Sequence, residues 1–591
     1  MGGWTGLLLP LTMKTGSIGK WCCGGSVVVV VASARSAANN NGAENSLLLR
    51  RCCWSTTKSH MFAILSRRAM QKVSPHAATS SYEEAIRSLN SLQSNAAYIS
   101  AARLNNSTTQ NTNLQDTKKY LLRSGLSLEQ VERLSVIHVA GTKGKGSTCA
   151  FAEAILREHG FKTGFYSSPH LITVRERFRI DGRPINEHEF ARHFWHVYDR
   201  LSQLREHERD MPQYFKFLTV LMFHVFCKAN VDVAILEVGI GGEHDCTNIL
   251  GNTCCSGITS LGIDHTSLLG DTIEAIAWQK AGIFKPNAAA FTVEQSSNDA
   301  MRVLEARARE RKCQLSVVPA LESYPWRKGQ PPVLGIQSEV QRSNASLAIQ
   351  LAQAWFSRTQ GGAAKRHHQS SVVLSSTENK LDAKTKDCSR YIVTPEHAAP
   401  KRTSLSWTKI AAALESCRWP GRTQILPGRT LDFYVDGAHT EESMDSCVAW
   451  FRGIVASSRK ERRRYLIFNA TGDRDSAKLL APLKTLNFYK AIFVPNLAGL
   501  VHNADQENHN FPLAKQLERC WKNSEVWGEN SVVKESVYET LNYIKTESEA
   551  DVLVPDDDNE CKPQVLVTGS LHLVGALLTV VDPEFTMTST F

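Results

Sequence analysis

One glycine-rich segment, Gly141-Thr-Lys-Gly-Lys-Gly-Ser-Thr148, constrains the fold of this chain more than any other feature. It follows a short apolar run, Val136–Ala140, and leads into a stretch without helix breakers, Ser147–Glu158, that stops near Gly160. An apolar run that turns into glycines is typical of a buried strand, and the stretch behind it predicts a helix with a glycine stop. The sequence therefore predicts a strand–loop–helix unit at this point.

Similar apolar runs recur along the chain, with helical segments between them. They are Val231–Val238, Cys255–Gly262, Arg464–Asn469 and Gln564–Thr568. Strands that alternate with helices predict parallel sheets and the α/β fold class. The 591 residues suffice for two or three domains, each with its own core.

The positive charge of the chain lies almost entirely in its first part. Nine basic residues and one acidic residue give residues 1–81 a charge of +8, which leaves +2 of the total of +10 for the remainder. A remainder so close to neutral has no overall basic field that would attract a polyanion. We therefore expect no nucleic-acid partner.

Residues 1–81 are rich in Ser, Ala and Arg and hold a single acidic residue, a composition typical of organelle transit peptides. We expect mitochondrial import, to the matrix or to association with the inner membrane. Translation from an internal start would give a cytosolic form. An unstructured tail or a wrongly assigned gene start is the alternative.

Two further classes of protein are disfavoured by composition. The longest apolar run, Val27–Ala32, is far too short to cross a membrane, so we do not expect a transmembrane protein. The fifteen cysteines form no CxxC pair and no paired Cys/His spacing, which predicts reduced thiols and no zinc site.

The glycine-rich segment carries the chemistry of a phosphate-binding loop. Its glycines let backbone N–H groups converge on phosphate oxygens, and the helix N-terminus adds partial positive charge. Lys145 is placed to neutralise phosphates and Ser147 to face Mg²⁺, although Gly146 between them departs from the GxxxxGK[ST] spacing. A plain glycine-rich turn is the alternative. Two lysines in this context favour nucleotide binding by Lys143, Gly144, Lys145, Gly146 and Ser147.

Two polar residues stand where other predicted strands end. Glu237 closes the apolar run that begins at Val231 and is followed by glycines, while His265 ends Gly262-Ile-Asp-His265. Open α/β sheets bind ligands at the carboxyl ends of their strands, and a carboxylate there can hold Mg²⁺ against phosphates. His265 could reach the same crevice, or it could be an ordinary structural histidine.

Together these segments resemble the folylpolyglutamate synthases of the Mur ligase superfamily. The resemblance extends over roughly residues 82–575, with a poor match at 357–404. Further segments that carry it are Phe165-Tyr-Ser-Ser-Pro-His-Leu171, Arg175-Glu-Arg-Phe-Arg-Ile180, Ala277-Trp-Gln-Lys-Ala-Gly-Ile-Phe-Lys285, Arg342-Ser-Asn-Ala345, Trp419-Pro-Gly-Arg-Thr423 and Asp436-Gly-Ala-His439.

The resemblance implies a specific domain plan and a monomer. Residues 82–356 would form a large N-terminal P-loop ATPase domain with a mainly parallel sheet, like that of the Mur ligases. Residues 419–591 would form a smaller, Rossmann-like α/β ligase domain. A variable insertion or linker, 357–418, would join them, and the leader 1–81 would precede both.

The resemblance also implies which residues bind the metal and the nucleotide. Ser167, Glu237 and His265 match the family's Mg²⁺-binding positions, and a monovalent cation is a further candidate ligand. A hydroxyl, a carboxylate and an imidazole hold Mg²⁺ only in a shell completed by water and phosphate oxygens. The segment Trp419-Pro-Gly-Arg-Thr423 is predicted to be the hinge between the two domains. Arg422 in this hinge and Asp436 in the C-terminal domain match nucleotide contacts.

Three residues would then act in the reaction itself. Lys145 would stabilise the transferring phosphoryl group. Lys280 matches a lysine that many family members carry as a carbamate, with an uncarbamylated lysine as the alternative. His439 would orient the γ-phosphate or the incoming amine, or would only support the site. One departure is Val340, where known members tend to have histidine.

The implied reaction is ATP-dependent ligation of L-glutamate to the γ-carboxyl of tetrahydrofolates through an acyl phosphate. Its product would be folylpolyglutamates, which serve folate retention and one-carbon metabolism, and its partners would be reduced folates, L-glutamate and ATP. A dihydrofolate synthase, or a bifunctional enzyme, shares these motifs and stays an alternative. A nucleotide-dependent switch rests only on Asn379-Lys-Leu-Asp382, an NKxD match within a polar stretch that we attribute to chance.

Overall fold

The computed structural model describes residues 21–23, 26–28, 81–92, 108–327, 329–370, 404–457, 461–471, 474–499, 512–549, 562–589 and 591. The chain divides into two compact units, residues 1–72 and residues 73–591. In the first unit the described residues form two strands, β1 (Trp21–Cys23) and β2 (Ser26–Val28), which pair antiparallel. Of the rest of the predicted leader, the structure describes only Ser81, which caps the helix that begins at Tyr82.

The second unit contains a large sheet in its N-terminal part. Its strands are β3 (Val136–Ala140), β4 (Thr163–Tyr166), β5 (Phe178–Ile180), β6 (Arg183–Pro184), β7 (Val233–Glu237), β8 (Cys255–Ile258), β9 (Ala289–Thr292) and β10 (Gln314–Val317). Their order across the sheet is β10-β9-β8-β3-β7-β4-β5-β6. Pairing is parallel from β10 to β4, and β5 and β6 extend that edge antiparallel.

A second sheet follows in the C-terminal part. Its strands are β11 (Gln424–Leu426), β12 (Asp432–Val435), β13 (Arg464–Phe468), β14 (Lys490–Phe493), β15 (Ser531–Val533) and β16 (Gln564–Thr568). The order is β11-β12-β16-β13-β14-β15, and of these strands only β11 pairs antiparallel.

Helices cover both sheets. They are α1 (Tyr82–Asn90), α2 (Thr108–Arg123), α3 (Leu128–Glu132), α4 (Lys145–Glu158), α5 (Glu187–Gln203), α6 (Tyr214–Ala229), α7 (Thr266–Leu269), α8 (Ile273–Ala281), α9 (Asn298–Glu310), α10 (Glu339–Ser370), α11 (Trp407–Ser416), α12 (Glu441–Ser457), α13 (Ser476–Lys484), α14 (Leu513–Trp527), α15 (Val537–Glu549) and α16 (Leu571–Val581). None of the helices in the described ranges is both long and apolar enough to cross a membrane.

Alternate residues of the central strand β7 enter different cores, as a strand buried on both faces requires. Val233 and Ile235 pack in a cluster with α4, α10 and α11. Ala234 and Leu236 pack on the opposite face with α5 and α6. This two-sided burial fixes the direction of β7 and brings its last residue, Glu237, to the carboxyl edge of the sheet.

The predicted α/β class and mainly parallel first sheet are confirmed. Each predicted strand is present, and its ends differ from the predicted ends by at most four residues. The predicted domain boundaries stay predictions. The boundary at residue 357 falls inside α10, which runs to Ser370, and α11 lies within the predicted linker with Ile410 and Leu414 buried. Residues 371–403, which include the NKxD match, lie outside the described part of the chain.

The apolar cluster between β7, α5 and α6 should dominate the stability of the N-terminal part. Phe223 of α6 is fully buried in this cluster. Phe223→Ala should cost about 3–5 kcal/mol, because it removes the ring and leaves a cavity. Calorimetry should show a lower unfolding temperature than for Leu204→Ala, a control at a side chain with 58% exposure. Equal unfolding temperatures for the two variants would contradict this assignment of the core.

Candidate functional site

A cleft of about 900 Å³ lies where the carboxyl edge of the large sheet faces loops of the second sheet. The first sheet contributes the phosphate loop between β3 and α4, Glu237 at the end of β7, and His265 after β8. The second contributes Arg422, Asp436 and His439. Strand ends from two sheets therefore meet around one cavity, the arrangement in which α/β proteins bind ligands.

The phosphate loop depends on Gly144, which caps the N-terminus of α4. Its φ is +90°, in the left-handed region that side chains with a Cβ disfavour. A Cβ at this position would also lie 2.3 Å from Oδ1 of Asn344, on α10. The Thr148 hydroxyl donates to that same oxygen at 3.4 Å. Both the backbone conformation and the close approach of α10 therefore require glycine here.

Positive charge is concentrated around this loop. Lys145 Nζ and Lys280 Nζ both donate to the carbonyl oxygen of Gly141, at 3.1 and 2.8 Å. Lys280 is only 3% exposed, and burial together with the charge of Lys145 lowers its pKa to about 7. Burial also lowers the pKa of Lys143, which Asp264 opposes from 3.8 Å. A cluster of this kind favours a polyanionic ligand such as a polyphosphate.

Glu237 is a buried acid at the rim of the cleft. Its Oε2 accepts a hydrogen bond from the backbone N–H of Ser168 at 3.2 Å, next to the buried Ser167. Burial raises the pKa of Glu237, while the charge of Lys145 acts in the opposite direction. A buried carboxylate beside a phosphate loop is suited to a divalent cation, which would compensate its charge.

His265 begins the short helix α7 with φ of +53°, and burial lowers the pKa of its imidazole. Its neighbour Asp264 accepts a hydrogen bond from the His265 N–H at 2.9 Å. Burial raises the pKa of Asp264, but the neighbouring imidazole of His265, the charge of Lys143 and the hydrogen bond from the His265 N–H outweigh burial and hold that pKa below its usual value. Asp264 therefore brings negative charge to the phosphate loop.

The second sheet presents His439 in a defined tautomer. Its Nδ1 lies 2.7 Å from the carbonyl oxygen of Gly437, so Nδ1 carries the proton and donates. Its Nε2 then faces Nζ of Lys143 across the cleft at 3.4 Å. Burial, reinforced by Lys143, lowers the pKa of His439 to about 3, so the ring is neutral at physiological pH.

Asp436 and Arg422 lie beside His439 on the same side of the cleft. Asp436 Oδ2 accepts from the backbone N–H of Thr423 at 2.8 Å, and burial raises the pKa of its carboxyl against the opposing charge of Arg422. The guanidinium of Arg422 donates to the carbonyl oxygen of Gly421 at 3.1 Å.

We asked whether the predicted metal ligands fit Mg²⁺. Within the described ranges no three His, Cys, Asp or Glu side chains lie close enough to hold a metal by themselves. Ser167, Glu237 and His265 supply two such groups and a hydroxyl. This donor set fits a Mg²⁺ ion whose remaining ligands come from water and phosphate oxygens.

Most predicted site residues line the cleft. These are Lys143, Gly144, Lys145, Gly146, Ser147, Glu237, His265, Arg422, Asp436 and His439. Ser167 and Lys280 lie just behind its wall, next to Ser168 and Gly141 respectively. The exposed Val340 borders the cleft at the start of α10.

Sequence reasoning missed Asp264 and Asn344, which also line the cleft. Both stand inside segments that it quoted for other residues. It also missed the wall formed by Tyr214, Phe215 and Lys216 at the start of α6. No spacing or composition signal marks these residues, because they reach the site only through the packing of α6 on the sheet.

The chain was compared with known proteins. No protein-family model matches it. It is 46% identical over 457 residues to the mitochondrial folylpolyglutamate synthase of Bos taurus, covering 76% of this chain and 74% of that protein. It is 45% identical over 461 residues to that of Homo sapiens, with 77% and 74% covered. A putative folylpolyglutamate synthase of Caenorhabditis elegans is 39% identical over 512 residues, with 86% and 94% covered.

Solved structures share the fold. A Mycobacterium tuberculosis folylpolyglutamate synthase complexed with ADP and AMPPCP superposes with a TM-score of 0.57 at 21% identity, covering 79% of this chain and 94% of that one. The folylpolyglutamate synthase of Thermotoga maritima gives a TM-score of 0.55 at 24% identity, with 79% and 92% covered.

The geometry of the phosphate loop gives a testable pair of variants. Gly144→Ala and Gly160→Ala both place alanine at a left-handed φ, which costs roughly 1–2 kcal/mol in each case. Only at Gly144 would the new Cβ meet another side chain, since Gly160 has open space around it. Titration with a non-hydrolysable ATP analogue should therefore show weak binding for Gly144→Ala and nearly normal binding for Gly160→Ala. Equal affinities would contradict the role of Gly144.

Proposed function

The chain belongs to the folylpolyglutamate synthase family, and from this membership we propose how its cleft carries out the reaction. It is a ligase that uses ATP to join L-glutamate to folates. The observation that best supports our site assignment is that Lys143 and Lys145 line a cavity shared by both sheets, with the buried Lys280 hydrogen-bonded to Gly141 beside them. The roles given below to individual residues are part of the proposal.

The first step activates the folate. A carboxylate is a poor electrophile, so an oxygen of the folate γ-carboxylate attacks the γ-phosphorus of ATP and ADP leaves, which gives an acyl phosphate. Lys145 and Lys143 would stabilise the negative charge on the transferring group. The N–H groups at the start of α4 would bind the β- and γ-phosphates, and Arg422 and Asp436 would contact the nucleotide from the opposite side.

The second step forms the amide. The amino nitrogen of glutamate attacks the acyl carbon, the carbon–oxygen bond to phosphate breaks, and phosphate leaves with the oxygen that came from the carboxylate. The amine loses its proton in the process. The neutral His439 has its Nε2 acceptor facing Lys143, so in this tautomer it would accept a hydrogen bond from the incoming amine and not orient a γ-phosphate oxygen, which is itself an acceptor. Its pKa of about 3 is too low for proton storage.

Ser167, Glu237 and His265 would hold Mg²⁺, which when bound neutralises phosphate charge. Of the three, Glu237 supplies the anionic ligand and is fixed by the end of β7 and by the Ser168 N–H. The buried hydroxyl of Ser167 and the neutral imidazole of His265 would add uncharged donors from neighbouring strand ends.

We propose that Lys280 carries a carbamate. Its amine is buried and hydrogen-bonded to Gly141 beside the phosphate loop, and its pKa of about 7 leaves a large neutral fraction at the pH of the mitochondrial matrix. The neutral amine is the form that adds CO₂. The resulting carbamate anion would replace the Lys280 ammonium, which Lys145 repels, with a negative group that attracts Mg²⁺.

The protein is mitochondrial, like the relatives that bear that designation, with residues 1–81 as the import signal that we propose. A cytosolic form from an internal start is a further proposal, as is a monomeric state. Among acceptors we propose tetrahydrofolates, with dihydropteroate as the alternative that a dihydrofolate synthase would use.

Ligase activity is measured directly with labelled glutamate. The full chain with ATP and Mg²⁺ should add label to tetrahydrofolate in products that lengthen by successive glutamates, and should label dihydropteroate poorly. Glu237→Gln should lower the rate by about 10²-fold or more, because it removes charge from the transition-state environment. Glu305→Gln, on the exposed face of α9, is the matched control. Labelling of dihydropteroate alone would overturn the proposed acceptor.

The carbamate is tested by ¹³C NMR of protein equilibrated with labelled bicarbonate. A carbamate signal should grow from pH 6 to pH 8, because a pKa of about 7 raises the neutral fraction of Lys280 from about a tenth to about nine tenths. Lys280→Arg should remove the signal, whereas Lys522→Arg, at an exposed lysine, should retain it. A signal that survives in Lys280→Arg would refute the assignment.

A further inference from the structure

The backbone of Gly421, which we call the Gly421 junction, connects the hinge to the loop that carries Asp436 and His439 on one side of the cleft. Its φ of +73° lies in the left-handed region, so the peptide needs external contacts to hold it. Its carbonyl oxygen accepts from the backbone N–H of Gly437 at 2.9 Å and from Nη1 of Arg422 at 3.1 Å. Gly437 lies between Asp436 and His439, so one carbonyl ties Arg422 to the loop that carries both.

The N–H of the same glycine is held by one side chain, Gln424. Gln424 is the first residue of β11 and is only 4% exposed. Its Oε1 accepts from Gly421 N–H at 2.8 Å, and its Nε2 donates to Sδ of Met587 at 3.5 Å. A buried amide with a partner on each end has one defined orientation. Gln424 therefore fixes the peptide group between Pro420 and Gly421, on the N-terminal side of the Gly421 Cα.

Met587 is in turn held by the segment that follows α16. The buried carboxylate of Asp582 accepts from the backbone N–H groups of Thr586 at 2.6 Å and Met587 at 2.9 Å. Phe585 and Met587 have φ of +53° and +64°, conformations that persist only when their surroundings enforce them. The Asp582 carboxylate provides that enforcement and sets the position of the Met587 sulfur.

We propose that Gln424 is a positioning residue of the nucleotide site, and that Met587 supports it. Gln424 touches neither substrate nor nucleotide. It acts by holding the Pro420–Gly421 peptide and with it the Gly421 Cα, from which the Gly421 carbonyl extends. That carbonyl contacts Arg422 and the Gly437 N–H, and so orients Arg422 and the Asp436–His439 loop toward the cleft. This inference rests on the proposed role of Arg422 in binding the nucleotide. It assigns Gln424 a role in nucleotide binding in addition to the stability that any buried, hydrogen-bonded amide provides.

The test measures kinetic constants on the full chain. Gln424→Leu should raise the KM for ATP, and the Kd of a non-hydrolysable ATP analogue, by about tenfold, which corresponds to about 1.4 kcal/mol. The KM values for tetrahydrofolate and glutamate should stay within about twofold. Met587→Leu, a milder change, should raise the KM for ATP by about two- to threefold.

A matched control is Gln516→Leu in α14. Gln516 is also a buried glutamine of the C-terminal part, and its Oε1 accepts from a backbone N–H, that of Asn496, at 3.0 Å. Gln516→Leu should lower the unfolding temperature as Gln424→Leu does, yet leave the KM for ATP unchanged. An equal rise in the KM for ATP in this control would show that general destabilisation is responsible, and would overturn the inference.

A double-mutant cycle with Arg422→Gln separates this inference from the proposed function. If Gln424 acts through Arg422, the double variant should bind the ATP analogue no more weakly than Arg422→Gln alone. Normal ATP affinity in Arg422→Gln would instead refute the proposed role of Arg422. Weak binding in Arg422→Gln with normal binding in both Gln424→Leu and Met587→Leu would refute the positioning role.

Discussion

Two lysine side chains share one carbonyl oxygen in this protein, and the rest of the site is arranged around that contact. Lys145 and Lys280 both donate to Gly141, at the turn between β3 and α4. Like charges held this close in a partly buried setting repel each other, which accounts for part of the low pKa of Lys280. A polyphosphate bound beside Lys145, or the carbamate that we propose on Lys280, would relieve that repulsion. This electrostatic environment therefore supports our proposal that the phosphates of ATP bind here.

Other groups around the loop limit where bound phosphates can lie. The buried carboxyl of Glu237 lies at the end of β7, on the side where we propose that Mg²⁺ binds. The neutral His439 closes the opposite side without adding a charge. The Gly421 junction joins this second side to the hinge, so the position of Arg422 depends on contacts made outside the cleft. The geometry of this side of the site therefore depends on hydrogen bonds made by hinge residues outside the cleft.

Local sequence patterns predicted the strand and the helix on either side of the phosphate loop, because neighbouring residues determine both elements. The strand before the phosphate loop has the predicted bounds, Val136–Ala140, because continuous burial leaves an uninterrupted apolar run. The helix behind it begins at Lys145, two residues before the predicted start, since the left-handed Gly144 lets it begin as soon as the loop ends. Asn344 and Gln424 were not predicted as site residues. Their partners are Thr148, about 200 residues earlier, and Met587, 163 residues later, and such long-range contacts leave no periodic signal.

The central claim is that the cleft transfers phosphate to the folate carboxylate before the amide forms. The most direct measurement uses tetrahydrofolate labelled with ¹⁸O in its γ-carboxyl group, with mass analysis of the inorganic phosphate released by the full chain. The acyl phosphate mechanism predicts one ¹⁸O atom in the phosphate released with the first glutamate added to each labelled folate, because the carboxylate oxygen leaves with phosphate. Phosphate from later additions should be unlabelled, since those use the γ-carboxyl of the added glutamate. Addition of the first glutamate with unlabelled phosphate would contradict the acyl phosphate and the arrangement of the site that we derive from it.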